Sequence, residues 1–253
     1  MKPSPCVDTI MLRVTTPEIL DSDSCPAEEV ARSLQDLGRI NRWFGGVATT
    51  QALIERVACT TGAKHFSLLE VAAGFGDVPR IVARQLARQG ITVDITLLDR
   101  SWSHLRGNRA LVADALALPF SDDSFDLVSC NLFAHHLQPE DLTRFVHEAL
   151  RVSRRAVLIN DLVRHPLHLA LVYAGFPLMR SPVSRFDGVA SVRSAYVPEE
   201  IRDTLSAAFP PSYAPKVEIF RHYLFRMGVT VWKSQEPAKC GPPKGEADPA
   251  PEN

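Results

Sequence analysis

The apolar positions of this chain change period along its length, and the changes predict its elements. Residues 66–71 form a short, mostly apolar run that suits a strand buried on both faces. Ala72, Ala73, Gly74 and Gly76 follow at once, too small to hinder a sharp turn or a ligand pressed against the main chain. From residue 79 to 89, Ile81, Val82, Leu86 and Ala87 recur at helical spacing, with Pro79 at the start and Gly90 past the end. Strand patterns return over residues 91–99, 125–131 and 156–161, and residues 139–150 read as a helix before the last of them. Upstream, Pro26, Glu28 and Glu29 open a helix with Val30, Leu34 and Leu37 on one face, and residues 47–57 read as a second. Downstream, residues 164–179 predict an apolar helix and 180–195 a long connection. A helix then starts near Pro198, and residues 217–220 and 223–232 predict two final strands. Strands alternating with helices predict an α/β fold around a mostly parallel sheet.

Composition narrows the partners. With 253 residues, 45% hydrophobic and 23% charged, the chain suits one main domain with added elements. A net charge of −1 and no block of Lys or Arg argue against nucleic-acid binding, so a small or neutral substrate is expected. Cys6, Cys25, Cys59, Cys130 and Cys240 are odd in number and lack a C-x-x-C pair, which argues against a disulfide framework or a zinc site and predicts a reducing, cytoplasmic location. The first residues lack a signal-like apolar core, and residues 166–179 are too short to span a bilayer, so no stable membrane insertion is expected, although that stretch suits contact with a lipophilic substrate. Residues 1–25 have several prolines and no sustained period and predict a flexible arm, and residues 234–253 predict a disordered tail.

The candidate chemistry sits at the ends of the predicted strands. A tight turn after the first strand of a doubly wound fold is where nucleotide-like cofactors bind. Here it reads Glu70-x-Ala72-x-Gly74-x-Gly76, which is not the G-x-G-x-x-G of dinucleotide sites. Asp99 ends the second strand, where a carboxylate can accept from both ribose hydroxyls; that supports a ribose-containing ligand of any kind. Asp114 follows in residues 111–120, and Asp123-Ser124-Phe125-Asp126-Leu127-Val128 leads into the fourth strand.

Together these motifs resemble those of class I S-adenosylmethionine (SAM) methyltransferases, with Ala72 standing where the family carries its first motif glycine. The resemblance runs in pattern over residues 35–233 and is most specific over 68–137. It implies a Rossmann-like, seven-stranded, mostly parallel sheet with a C-terminal antiparallel strand pair, in a domain of residues 26–233. Residues 26–60 would form an N-terminal helical cover, and residues 162–200 an insertion shaping the acceptor pocket. SAM is the implied cofactor, contacted by Glu70, Ala72, Gly74, Gly76, Asp99, Arg100, Asp114, Ala115 and Asn131. In the family, the acid matching Asp114 accepts from the adenine amino group and the next backbone N–H, here that of Ala115, donates to the ring. Arg42 or Arg39 is a candidate partner for the SAM carboxylate; alternatively this segment is a surface turn with Trp43 and Phe44 anchored in the core.

Past the fourth strand, His135 and His136 stand where family members join methyl group and acceptor. A neutral imidazole there can take a proton from a phenol or enol; the alternative is that one ring caps the next helix and the other packs beneath it. Asp161 either orients or deprotonates the acceptor, or caps the helix expected near Arg164. Asn131 is followed by Leu132-Phe133-Ala134, without the Pro-Pro-aromatic run that amino-methylating enzymes commonly carry. The reading is methyl transfer to a small, aromatic or lipophilic acceptor, by O-methylation of a phenolic, polyketide or quinone-like compound. C-methylation of a similar acceptor, or a SAM-binding protein without transferase activity, are the alternatives.

Overall fold

The computed structural model describes residues 11–21, 25–107, 109–210 and 214–233; the expected tail, 234–253, lies outside them. Seven strands form one sheet: β1 (His65–Val71), β2 (Thr92–Asp99), β3 (Ala110–Val112), β4 (Phe125–Asn131), β5 (Ser153–Leu162), β6 (Val217–His222) and β7 (Arg226–Trp232). Their order is β3-β2-β1-β4-β5-β7-β6. The first five pair in parallel, while β7 runs antiparallel to both β5 and β6. Because β1 lies between β2 and β4, the connections leave it in opposite directions. A crevice therefore opens above the carboxyl ends of β1 and β4.

Helices cover both faces. α2 (Gly46–Thr61) and α3 (Asp77–Ala87) pack Leu53, Ile54, Val57, Val82 and Leu86 against Phe66, Leu68, Leu127 and Leu158. On the other face, α4 (Pro139–Val152) and α7 (Pro198–Ala208) pack Leu142, Phe145, Val146, Ile201 and Leu205 against Leu69, Val128, Val157 and Val229. Burying each such side chain contributes about 1.5–3 kcal/mol relative to leaving it exposed. That burial on both faces is why the central strands read as continuous apolar runs rather than alternating ones.

The crevice is covered by α1 (Ala27–Trp43), which seats Val30 and Leu34 on Phe75, and by α6 (Pro182–Ser194). α6 corrects the connection expected over 180–195. Its buried face is Val183, Ser184, Asp187, Ala190, Ser191, Val192 and Ser194, too small and polar to give a hydrophobic period. The apolar helix expected over 164–179 is shorter: α5 (Pro166–Ala174) ends at Gly175 and has no buried residue. No helix of the described residues is long and apolar enough to cross a membrane.

Two further expectations fail. Residues 11–21 are not a loose arm: Arg13 donates to the carbonyls of Ser194, His135 and Leu137, Val14 N–H donates to Arg193, and Asp187 accepts from Ile19 and Leu20 N–H. The hydrogen bonds that hold this segment go to residues far along the chain, so no local period announces them. Cys59 is disulfide-bonded, where the number and spacing of the cysteines argued against a disulfide framework; pairing depends on Cβ separation in the fold, which spacing along the chain does not reveal.

Candidate active site

A cleft of about 770 Å³ occupies the crevice. Its sheet-side floor begins at the turn after β1, where Ala72, Gly74 and Gly76 have φ values of 53°, 52° and 68°. Gly76 resists replacement: a Cβ there would lie 2.6 Å from Leu97 Cδ1, in a left-handed backbone that favours glycine. Ala72 adopts the same region with a side chain, a cost of order 1–2 kcal/mol kept at the edge of the cleft. Asp99 braces the turn. Its Oδ2 accepts from Gly74 N–H at 2.9 Å, and its Oδ1 lies 3.2 Å from Ser101 N and 3.0 Å from His104 Nδ1. Asp114 Oδ1 accepts from Leu116 N–H at 2.8 Å, which shapes the loop after β3. Arg100 and Ala115 also line the cleft.

Beneath lies a buried polar floor. Glu70, 1% exposed, accepts from Ser129 Oγ–H and, at 2.5 Å, from Asn131 Nδ2. Burial pushes its carboxyl up to about 7, against the pull of those two hydrogen bonds. Asn131 Oδ1 in turn accepts from Thr50 Oγ–H at 2.6 Å and Asn160 Nδ2 at 2.7 Å. Arg226 extends the floor, donating to Asn41 Oδ1 at 2.6 Å; burial lowers it to about 10. A satisfied network of this kind holds its members rigid. Thr50 and Arg226 escaped the sequence reading because nothing local marks them; each is a polar residue inside an otherwise apolar or amphipathic element.

Above β4 and β5 the character changes. His135 is buried, with Nδ1 2.7 Å from Asp161 Oδ1 and Nε2 3.3 Å from Glu18 Oε1. Burial opposes its charged form, but the charge and hydrogen bond of Asp161, joined by Glu18, outweigh that and push it up to about 10. Asp161 also accepts from the backbone N–H groups of His135 and Leu162; despite burial, the neighbouring His135 keeps its pKa below the ordinary value. His136 Nδ1 lies 2.8 Å from Asp21 Oδ2, and Asp21 is held low by that partner and by Arg100 in spite of burial. Burial raises Asp187 to about 6, helped by the fields of Glu18 and Asp21.

These placements decide between the alternatives left open by the sequence. The helix after His136, α4, has Gln138 at its N-cap with no side-chain bond, so neither histidine caps it. α5 is capped by His165, so Asp161 is free of that role and faces His135. Arg42 is corrected: it is exposed at the last turn of α1 and does not line the cleft, and Arg39 pairs with Asp36. Trp43 and Phe44 are exposed rather than core anchors, because Gly45 turns the chain into α2 directly behind them. Of residues 162–200, Ser191 lines this cleft, while Tyr173, Phe176, Arg185 and Phe186 line a second cavity of about 320 Å³. Glu18 and Asp21 also line the cleft, and sequence reasoning assigned neither of them a role.

Known proteins share this architecture. A family model described as "Methyltransferase domain" matches residues 69–159. An uncharacterized methyltransferase of Schizosaccharomyces pombe is 31% identical over 96 residues, which is 37% of this chain and only 38% of that protein's length. Among solved structures, a SAM-dependent methyltransferase from Aquifex aeolicus superposes with a TM-score of 0.54 at 13% identity, covering 81% of this chain and 98% of that one. The plantazolicin methyltransferase BamL, solved with a triazolic desmethylPZN analog and SAH, gives a TM-score of 0.58 at 10% identity, covering 82% and 98%. The matched stretch contains the turn after β1, Asp99, Asp114 and the two histidines, and the solved methyltransferases share the fold.

Proposed function

We propose that this chain transfers a methyl group from SAM to an oxygen of a small aromatic or lipophilic acceptor. One observation carries the reading: a single cleft joins the turn braced by Asp99 to a cluster of imidazoles and carboxylates above β4 and β5. The residues fit the cofactor. The small turn residues admit close approach to the main chain; Asp99 keeps acceptor capacity beyond its three present partners, enough for a ribose hydroxyl. Asp114 and Ala115 line the same cleft, and the Asp114 carboxylate and Ala115 N–H are assigned to the adenine. When bound, SAM supplies a methyl group already activated on a sulfonium sulfur.

The chain's own task is then to hold the acceptor in line, exclude water and remove a proton. Glu18, Asp21 and His136 border the cleft and are assigned to the acceptor hydroxyl. His135 has both ring nitrogens beside carboxylates and Asp161 stands behind it, so these two position the others. Residues 26–233 form the catalytic domain in this reading, with 26–60 as its cover and 162–200 on the acceptor side.

Calorimetric titration with SAM and SAH, followed by transfer of a ¹³C-labelled methyl group to a panel of phenolic and polyketide acceptors, tests this. A methoxy carbon signal in the product is expected. A C-methyl signal would transfer the reading to carbon, SAM binding with no product from any acceptor would favour a non-catalytic SAM-binding protein, and failure to bind SAM would overturn it.

A further inference from the structure

Glu18, His135 and His136 come from segments far apart in the chain, yet each offers a ligand atom within 4.8 Å of the others. Their orientation is shared. His135 Nδ1 faces Asp161 at 2.7 Å and His136 Nδ1 faces Asp21 at 2.8 Å, while the Nε2 atoms of both rings turn to Glu18, at 3.3 Å and 3.8 Å from its two oxygens. A carboxylate on Nδ1–H with Nε2 directed at the ion is how proteins fix metal-binding histidines. Donors each about 2.1 Å from an ion such as zinc lie about 3.4 Å apart at tetrahedral angles; the His135–Glu18 pair stands at 3.3 Å, and the three ligand atoms lie within 4.8 Å of one another. Glu18 is itself held by Ser191 Oγ–H, and His135 is 2% exposed. Three carboxylates around two imidazoles also leave negative charge that a divalent cation offsets.

We propose that Glu18, His135 and His136 form a binding site for one first-row divalent cation of the zinc, manganese or iron(II) class. The inference rests on the methyltransferase reading for its role but not for its existence. Two histidines and one carboxylate leave coordination positions open, and all three residues border the cleft. Those positions select an acceptor with paired oxygen donors, a ring hydroxyl beside a carbonyl or a second hydroxyl. The cation acidifies that hydroxyl, whose proton passes to water. The oxygen then bonds to the methyl carbon as the carbon–sulfur bond breaks, its electron pair staying on sulfur to give SAH.

The test uses untagged, chelator-treated full chain. Titration with Zn²⁺, Mn²⁺ and Co²⁺ is expected to give one equivalent bound, with visible d–d absorption for Co²⁺. Glu18→Gln and His136→Ala should each lower affinity at least tenfold, and Asp21→Asn more modestly, while the distant His65→Ala leaves it unchanged. SAM affinity and circular dichroism are followed in every variant. Wild-type chain that binds SAM but takes up no cation, or uptake unaffected in a folded Glu18→Gln/His136→Ala double variant, would overturn the site and leave the methyltransferase reading standing. Cation uptake without SAM binding would support the site and remove its assigned role.

Discussion

The two ends of the cleft are built in opposite ways. The cofactor end is local: Glu70 through Gly76, Asp99 and Asp114 fall within one run of successive strand ends, and backbone groups do much of the work, as in the Gly74 N–H held by Asp99. The end proposed to take the acceptor is assembled from far apart, Glu18 and Asp21 from the N-terminal segment, His135 and His136 after β4, Asp161 in β5 and Ser191 in α6. Turn geometry makes the first end tolerant of almost any side chain beyond size and a few acids. The second end is side-chain chemistry throughout, joined by hydrogen bonds between distant segments.

The sharpest way to break this comparison is a change at the acceptor end alone. Glu18→Gln should lower kcat by about 10²–10³, within the range for loss of acid–base or ionising assistance, while SAM affinity stays within about twofold. Steady-state kinetics beside calorimetry checks it. If SAM affinity fell along with kcat, the two ends would not be separable.

A second prediction concerns the floor they share. Glu70 titrates near 7 in the folded chain against 4.5 as the ordinary value, so the folded state holds its proton more tightly than the unfolded one. Its contribution to stability is therefore fully present below pH 4.5 and is lost as pH rises to 7, by up to about 3 kcal/mol. Gln mimics the protonated acid. Glu70→Gln should match wild type in thermal melts at pH 4.5 and exceed it at pH 8; an equal difference at both pH values would show that Glu70 is not held protonated.

What the sequence disclosed follows the same division. The strand limits of β4 and the order of turn, acid and strand at the cofactor end were readable because each depends on a few adjacent residues. α6 was not, since its buried face carries Ser184, Asp187, Ser191 and Ser194 and a glycine, Gly188, stands at its centre. Residues 11–21 looked detached because their partners, Asp187, Ser194, His135 and His136, are more than a hundred positions away. Arg42 looked functional from the density of charged and aromatic residues around it, but which face of α1 it occupies depends on where Val30 and Leu34 dock, and they docked on Phe75.

The smallest expected effects come from a matched pair at the cofactor end. Asp99→Asn removes a charge that anchors Gly74 N–H and is assigned to the ribose; hydrogen bonds to charged groups contribute about 1.5–3 kcal/mol, so SAM affinity should fall roughly 10–100-fold. Arg42→Ala removes an exposed charge outside the cleft lining and should change affinity less than about twofold. Measuring both at low and moderate salt separates a contact from a field: a loss for Arg42→Ala that disappears as salt rises would mean distant steering of the anionic end of the cofactor, whereas a salt-independent loss would mean that α1 moves to bring Arg42 into the cleft when SAM binds.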